Sequence, residues 1–253
     1  MTIYSHSKLS TFEQCKQKYK FKYIDKIQPD FEQSIEAHLG SSVHNTLEWL
    51  YTEVLKKNTP SLDQVISKYT DFWQENYKEN FKIVKQEFKP EDYFNKGVRF
   101  LITYYIEHQP FEDNTIETEK KVNFVLDEDF PYKIIGYIDR LTHDKERNLY
   151  EIHDYKTANT LPSKEKFETD RQLALYGLAL KQIFGKDIKI KLVWHYLEHN
   201  KKIVSERTEQ QFEQLRQDIL KLIQEIKSTK SFDANTSMLC EWCEYKSSCP
   251  AWN

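Results

Sequence analysis

The stretch from Gly136 to Thr160, GYIDRLTHDKERNLYEIHDYKTANT, decides the fold because it reads as two β-strands joined by a polar turn. The second strand carries Asp154 and Lys156, where a buried strand usually holds apolar residues. Side chains alternate between the two faces of a strand, so Asp154 and Lys156 share a face and Tyr155 points to the other. If the strands pair through the polar turn, Asp139 of the first strand comes close to Asp154.

Two neighbouring carboxylates on a mostly apolar sheet repel each other unless a cation neutralises them. Their oxygens are ligands that suit Mg²⁺ or Mn²⁺. The ammonium of Lys156 would lie at the same place, where it could stabilise negative charge on a phosphate. Taken alone, however, this stretch is more typical of a salt bridge at the end of a strand than of a metal site.

The composition describes a globular protein with a substantial core. Of 253 residues, 39% are hydrophobic and 30% are charged, which argues against disorder. No apolar run approaches the roughly 18 residues of a membrane span. The first residues, MTIYSHSKLS, lack the apolar centre of a secretion signal. We therefore expect a soluble, cytoplasmic protein that does not enter a membrane.

The net charge of −3 gives no support of its own to nucleic-acid binding. The charge is uneven, because six lysines fall within the first thirty residues. These are Lys8, Lys16, Lys18, Lys20, Lys22 and Lys26. They could form a basic groove that attracts phosphates, or only the solvated face of a helix.

The hydrophobic periodicity predicts a helical first part followed by a sheet. Helices are expected over 6–26, 42–57, 61–79 and 90–108, and strands over 115–126, 132–143 and 149–157. Thr169 with Gln172 predicts the start of a helix that ends at Gly185. A hairpin over 188–208 and a last helix that begins with Thr208 and Gln211 follow. The order predicts a mixed sheet with helices packed on it.

Three cysteines, Cys240, Cys243 and Cys249, fall within ten residues of the tail, and Cys15 lies far upstream. In a cytoplasmic protein such a group favours a metal over disulfides. Four thiolates suit a tetrahedral zinc or a [4Fe–4S] cluster, and the asymmetric spacing favours the cluster. The simplest alternative is four unrelated thiols. A shared metal centre would join the two ends of the chain.

The motifs Gly136-x-x-Asp139, Asp154-x-Lys156 and Gln172-x-x-x-Tyr176 resemble those of the PD-(D/E)XK nuclease superfamily. Gly40-x-x-x-His44 resembles the additional histidine motif of its RecB-like branch. The cysteine arrangement is similar to the iron–sulfur version found in AddB nuclease domains and in CRISPR-associated spacer-acquisition nucleases. The resemblance extends from Cys15 to Cys249.

The resemblance implies a restriction-endonuclease-like α/β fold, with a mixed central sheet flanked by helices. Residues 1–253 would form one nuclease domain with a mainly helical portion over 1–110, a catalytic core over 111–230 and a cysteine-rich staple over 231–253 that packs on Cys15. The four cysteines would hold a structural [4Fe–4S] cluster, with structural Zn²⁺ as the alternative.

The resemblance also implies roles for individual residues. The ligands of Mg²⁺ or Mn²⁺ would be His44, Asp139, Asp154 and the backbone carbonyl of Tyr155. Lys156 would position or activate the attacking water. Gln172 and Tyr176 would contact the DNA and support Lys156, and Glu119 is an additional candidate near the metal.

The implied function is a metal-dependent deoxyribonuclease, expected to be an exonuclease on single-stranded DNA or DNA ends in repair, recombination or defence. A helical cap over the site favours a threaded strand. The alternative is a DNA-end-binding subunit of a helicase–nuclease or CRISPR adaptation complex whose cleavage depends on a partner. A zinc-stapled structural protein is a third reading. His195 and His199 have the spacing of a helical metal site, but they lie in a predicted strand and are expected to be structural.

Overall fold

A mixed β-sheet forms the centre of the molecule in the computed structural model, which describes residues 2–127 and 132–252. Its strands are β1 Ile3–Tyr4, β2 Thr115–Val125, β3 Lys133–Asp144, β4 Leu149–Lys156, β5 Lys189–Tyr196 and β6 Lys201–Ser205. Strands β2, β3 and β4 form an antiparallel meander, β5 lies parallel to β4, and β6 returns antiparallel to β5. This confirms the predicted mixed sheet. The two-residue β1, parallel to the start of β3, was not predicted.

The helices follow the predicted order. They are α1 His6–Gln14, α2 Lys16–Tyr19, α3 Ile35–Leu55, α4 Leu62–Glu75, α5 Pro90–His108, α6 Lys164–Glu168, α7 Gln172–Phe184 and α8 Glu209–Ser228. Helices α3, α4 and α5 bury their apolar sides together with Tyr155 from one face of the sheet. The other face packs against α1, α7 and α8. Two hydrophobic cores therefore hold the sheet between layers of helix, as the α/β fold class requires.

Three predicted helix boundaries were wrong. The helix expected over 6–26 is interrupted at Cys15, whose extended backbone (φ −160°, ψ 111°) ends α1. Its thiol accepts a hydrogen bond from the N–H of Lys18, which caps α2. Helix α3 begins seven residues before the expected start, because the hydroxyl of Ser34 caps it.

Thr169 does not begin a helix. It ends the short helix α6, and α7 starts at Gln172 with the carboxylate of Asp170 accepting a hydrogen bond from the N–H of Leu173 (3.4 Å). The other predicted signals are confirmed. Gly185 ends α7 with a positive φ of 106°, and Thr208 with Gln211 forms the capping box of α8.

The tail lies beside the first helical break. The side-chain amide of Asn235 donates to the carbonyl of Gln14 (2.9 Å), and its backbone N–H donates to the thiol of Cys15 (3.5 Å). The N–H of Gln17 donates to the carbonyl of Asp233 (3.3 Å). These bonds connect segments more than 200 positions apart in the chain.

Candidate active site

Strands β3 and β4 separate at the point where the predicted acidic residues lie. The last paired residues are Arg140 and His153, and one position further the carboxylate of Asp139 lies between the strands. There its Oδ2 accepts a hydrogen bond from the backbone N–H of Tyr155 (2.9 Å). Strand β3 continues past Asp139 to Asp144, as its predicted range requires. The carboxylate therefore replaces a backbone partner within the sheet and ties the two strands together.

Asp154 and Lys156 share a face of β4, as alternation predicts. Asp154 is buried, and its Oδ2 lies 2.7 Å from Nζ of Lys156. Burial raises the pKa of Asp154, Lys156 opposes that shift, and Asp139 adds to it by repulsion. For Lys156, burial acts to lower the pKa, but the ion pair with Asp154 outweighs it and leaves the pKa raised. Lys156 is therefore an ammonium at neutral pH.

His44 approaches the same place from α3. Its Nε2 lies 2.7 Å from the carbonyl oxygen of Tyr155, which can only accept, so Nε2 carries the proton. Its Nδ1 lies 3.3 Å from Oδ2 of Asp139. In the neutral ring this contact sets a nitrogen lone pair against a carboxylate oxygen, an arrangement that a proton or a metal cation stabilises.

Helix α7 brings Gln172 and Tyr176 to the site. Nζ of Lys156 donates to Oε1 of Gln172 (3.1 Å). The ring of Tyr176 lies against Gly136, where an added Cβ would come within 2.2 Å of ring carbon Cε1. The glycine of the motif is therefore required by the close approach of this ring. Through its hydrogen bond with Lys156, Gln172 is placed to orient the ammonium towards Asp154.

Glu119, on β2, lies close enough to Asp139 and His44 to interact with their charges. It has a positive φ of 44° within β2, a strained conformation for a non-glycine residue. Burial raises its pKa to about 7, and Asp139 and Glu48 add to the shift while His44 opposes it. Glu48 was missed by the sequence analysis. Its signal was the spacing of one helical turn after His44.

Two further residues near Lys156 were also missed. Burial lowers the pKa of His6 to about 4, and the charges of Arg171 and Lys156 add to this shift, so His6 is neutral at pH 7. Burial raises the pKa of Asp170, while the charge of Lys156 lowers it. Asp170 precedes the Gln172 motif by two positions, which was a usable signal. Nothing in the sequence around His6 indicated that the N-terminal helix reaches the site.

The arrangement fits a divalent cation chemically, although the side chains now bond to one another. Between residues 2 and 252, leaving out 128–131, no three His, Cys, Asp or Glu side chains are already grouped as metal ligands. The donors nevertheless comprise two carboxylates, an imidazole and a backbone carbonyl, a set that suits Mg²⁺ or Mn²⁺. Oδ2 of Asp154 is buried and has no hydrogen bond of acceptable geometry despite the nearby ammonium. A cation would satisfy that oxygen and relieve the carboxylate repulsion.

The four cysteines lie around one cavity of about 290 Å³. They are free thiols, and they likewise form no ready-made group of ligands for a single ion within the described residues. The histidines set aside from the sequence lie elsewhere. His195 is buried against His153 (2.9 Å between ring nitrogens), and Nε2 of His199 contacts the carbonyl of Asn159 (3.0 Å). Neither contact resembles a metal site.

Removing the charge of Glu119 is expected to change how stability depends on pH. Since the folded state raises its pKa to about 7, the folded protein holds this proton more tightly than the unfolded chain. Stability should therefore fall as pH rises from about 4.5 to 7. In a chelating buffer, Glu119→Gln should raise Tm at pH 8 and leave it unchanged at pH 4. The exposed Glu112→Gln serves as control. Equal Tm values for Glu119→Gln and wild type at pH 8 would contradict this expectation.

No helix of the described residues is both long and apolar enough to cross a membrane.

The chain is similar to one protein family and to solved structures of other proteins. A family model described as the PD-(D/E)XK nuclease superfamily matches residues 3–250. A crystal structure of a protein from Eubacterium rectale, provisionally described as an exonuclease, is similar in fold with a TM-score of 0.53. It is 12% identical, with 95% of this chain and 86% of that chain covered. The crystal structure of SSO0001 has a TM-score of 0.45 at 13% identity, covering 99% of this chain and 87% of the other. A search of curated protein sequences gave no match.

Proposed function

The chain belongs to the PD-(D/E)XK nuclease superfamily and is therefore a metal-dependent nuclease, and we propose that its substrate is DNA, digested from the ends of single strands. One observation carries the proposal. Where β3 and β4 separate, Asp139 and His44 contact the Tyr155 peptide and each other, and the neighbouring Asp154 pairs with Lys156, through contacts of 2.7–3.3 Å. Such a group of acids with one ammonium suits phosphodiester hydrolysis.

In the proposed mechanism, His44, Asp139, Asp154 and the carbonyl of Tyr155 would hold Mg²⁺ or Mn²⁺. The bound cation supplies Lewis acidity, lowering the pKa of water and neutralising charge on the phosphate. Lys156 is protonated, so it orients the attacking water and stabilises negative charge that develops on the phosphoryl oxygens. Gln172 fixes the direction of that ammonium through its hydrogen bond. Tyr176 is buried against Gly136 and supports Gln172 from the same face of α7, so its predicted contact with DNA would be indirect.

The requirement for a DNA end is tested by comparing linear and circular substrates. With Mg²⁺ or Mn²⁺, a linear single strand should be degraded, and a closed circle of the same sequence should resist. The reason is that helices α3–α5 cover one face of the sheet beside His44 and favour a threaded strand. Product lengths on denaturing gels give the measurement. Equal cleavage of both substrates would show that no DNA end is required. Cleavage of neither substrate would rule out the proposed DNA nuclease activity.

We also propose that Cys15, Cys240, Cys243 and Cys249 hold a structural [4Fe–4S] cluster. The support is that all four thiols line one cavity of about 290 Å³. Four cysteine thiolates are the usual ligands of such a cluster. Protein prepared without oxygen should be brown and absorb near 400 nm, with about four irons per chain. Colourless protein with one bound zinc would favour the zinc alternative.

An exposed apolar surface favours a second candidate function. Met238, Leu239 and Trp252 in the tail are 87%, 60% and 48% exposed. Such side chains are typical of a surface that binds another protein. The chain would then process DNA ends within a helicase–nuclease or CRISPR adaptation complex, with cleavage dependent on its partner. Strong metal-dependent cleavage by the isolated chain would argue against this candidate.

A further inference from the structure

A second groove lies beside the candidate active site. It has a volume of about 520 Å³ and is formed by α5, the segment before it and the loop after β4. Its basic, aromatic and amide side chains are those of Lys85, Phe88, Tyr93, Asn95, Lys96, Arg99 and Asn159. None of these residues has a role in the proposed hydrolysis. Of the lining residues on α5, Asp92, Asn95, Lys96 and Arg99 share one side, at intervals of three or four positions.

Three connections place the groove near the site. Asn159 follows the catalytic candidate Lys156 by three positions. Thr157 lies against α3, where a Cβ on Gly40 would be 3.5 Å from its hydroxyl oxygen, one turn before His44. Tyr93 also donates a hydrogen bond to Glu36 of α3 (3.1 Å). A strand that leaves the site along α3 would therefore reach this groove next.

The groove carries unpaired positive charge. Of its two acids, Glu198 pairs with Lys96 (3.1 Å), whereas Asp92 accepts the backbone N–H of Lys89 (2.7 Å) at the start of α5, a donor that carries no compensating charge. Across residues 2–127 and 132–252, neither Lys85 nor Arg99 forms an ion pair. The lining therefore holds three cations and two acids, and Lys85 and Arg99 face the groove without a carboxylate at ion-pair distance.

The N-terminal lysines that the sequence suggested for a basic groove differ in this respect. Lys16 pairs with Glu225, Lys20 lies 3.6 Å from Asp25, and Lys18 and Lys22 share Glu244. Within the described part of the chain, Lys8 and Lys26 form no ion pair. Four of the six N-terminal lysines are therefore already engaged with carboxylates, whereas neither Lys85 nor Arg99 is.

Phe88 gives the groove its second feature. Its side chain is 42% exposed, and its ring lies 6.0 Å from that of Tyr93 with the planes at 75°. Nζ of Lys85 lies 5.8 Å from the centre of the same ring. An exposed aromatic ring beside unpaired cations is the combination that binds single-stranded nucleic acid, since phosphates meet the cations and a base stacks on the ring.

We propose that the α5 groove binds a single DNA strand next to the nucleotides held at the cleavage site. Lys85 and Arg99 contact its phosphates, and Phe88 stacks on a base. The inference rests on the proposed nuclease function, because the strand is the substrate of that site. It adds the place where the strand is held and the residues that hold it.

The test measures binding without cleavage. A fluorescent single strand of about 12 nucleotides is titrated with protein in EDTA, and anisotropy gives Kd at several salt concentrations. The double variant Lys85→Ala/Arg99→Ala should bind the strand at least about tenfold more weakly at low salt. The slope of log binding constant against log salt concentration should be smaller in magnitude by about 1.4, because each lost phosphate contact to a single strand reduces it by about 0.7. The matched control, Lys189→Ala/Lys221→Ala, removes the same charge from exposed positions outside the groove. Equal effects of both pairs would overturn the proposal.

A second variant tests the stacking contact. Phe88→Ala should weaken binding of a normal strand about fivefold or more, and should have no effect on a strand that lacks bases. Equal loss on both strands, or no loss on either, would overturn the role of Phe88. Because binding is measured in EDTA, it is separate from catalysis. If wild type fails to cleave DNA but the groove variants lose binding, the proposed nuclease function is wrong and the proposed binding groove is supported. If wild type cleaves DNA and the variants bind normally, the nuclease function is supported and the binding groove is wrong.

Discussion

Asp154→Asn is expected to lower the rate of DNA cleavage at least a hundredfold while leaving the protein folded. Loss of residues that only support metal ligands costs about 10- to 100-fold, and Asp154 is proposed as a ligand itself. The amide keeps the shape of the side chain and removes the cost of burying the carboxylate, which raises the pKa of Asp154, but Lys156 loses its ion-pair partner, so some loss of Tm is expected. The measurement is the initial cleavage rate of an end-labelled single strand in Mg²⁺ or Mn²⁺, together with Tm.

The matched control is Asp187→Asn, which removes the same charge from an exposed loop before β5. It should cleave at the wild-type rate. If Asp154→Asn cleaves as fast as this control, the active site is not at the separation of β3 and β4. If Asp154→Asn cleaves slowly but has also unfolded, Lys156→Gln provides an independent test, because it removes the ammonium rather than a metal ligand.

Local signals predicted most of the fold. The alternation of apolar residues gave the strands around Asp139 and Asp154, and the capping residues Thr208 and Gly185 marked real helix ends. The signals failed where the backbone departs from regular geometry. The break at Cys15 leaves the apolar spacing around it unchanged, so periodicity alone joined α1 to α2.

The candidate site divides in the same way. Strand alternation places Asp154 and Lys156 on a common face, and the resemblance to the nuclease family added the Gln172 motif. Glu48 could have been added from its helical spacing after His44, but His6 could not, since its position depends on how α1 docks on the sheet. The buried polar group around Arg140, which contacts the hydroxyl of Tyr155, could not be predicted from sequence either. An arginine within a strand carries no sign that its charge will be buried.

Arg140 is the centre of that buried group. It is 1% exposed, yet its guanidinium is fully surrounded by partners. Nε donates to the hydroxyl of Tyr155 (2.9 Å), Nη2 to Nδ1 of His153 (2.9 Å), and Nη1 to the carboxylate of Asp113. The guanidinium also lies 4.2 Å from the ring centre of Tyr51. A buried charge with this many partners is costly to disturb, because its neighbours lose their donors together.

Arg140→Met should therefore destabilise the protein by about 3–5 kcal/mol, the usual cost of breaking a buried charge pair. For a chain of this size, that corresponds to a fall in Tm of about 6–20 °C. The control Arg147→Met removes an arginine that is 77% exposed, for which an exposed ion pair predicts a loss of no more than about 1 kcal/mol. Thermal unfolding of both variants gives the comparison, and equal Tm values would show that the buried group contributes no stability.

The same substitution should also reach the active site. Tyr155 joins the two regions, because its hydroxyl is held by Arg140 while its peptide N–H and carbonyl bond to Asp139 and His44. Releasing the hydroxyl loosens the peptide that positions both groups. Well below its Tm, Arg140→Met should therefore cleave DNA more slowly than wild type and require more Mg²⁺ to reach half its maximal rate. Tyr155→Phe, which removes only the hydroxyl, should shift the Mg²⁺ requirement in the same direction with a smaller loss of Tm. An unchanged Mg²⁺ requirement in both variants would mean that the buried group supports the fold alone.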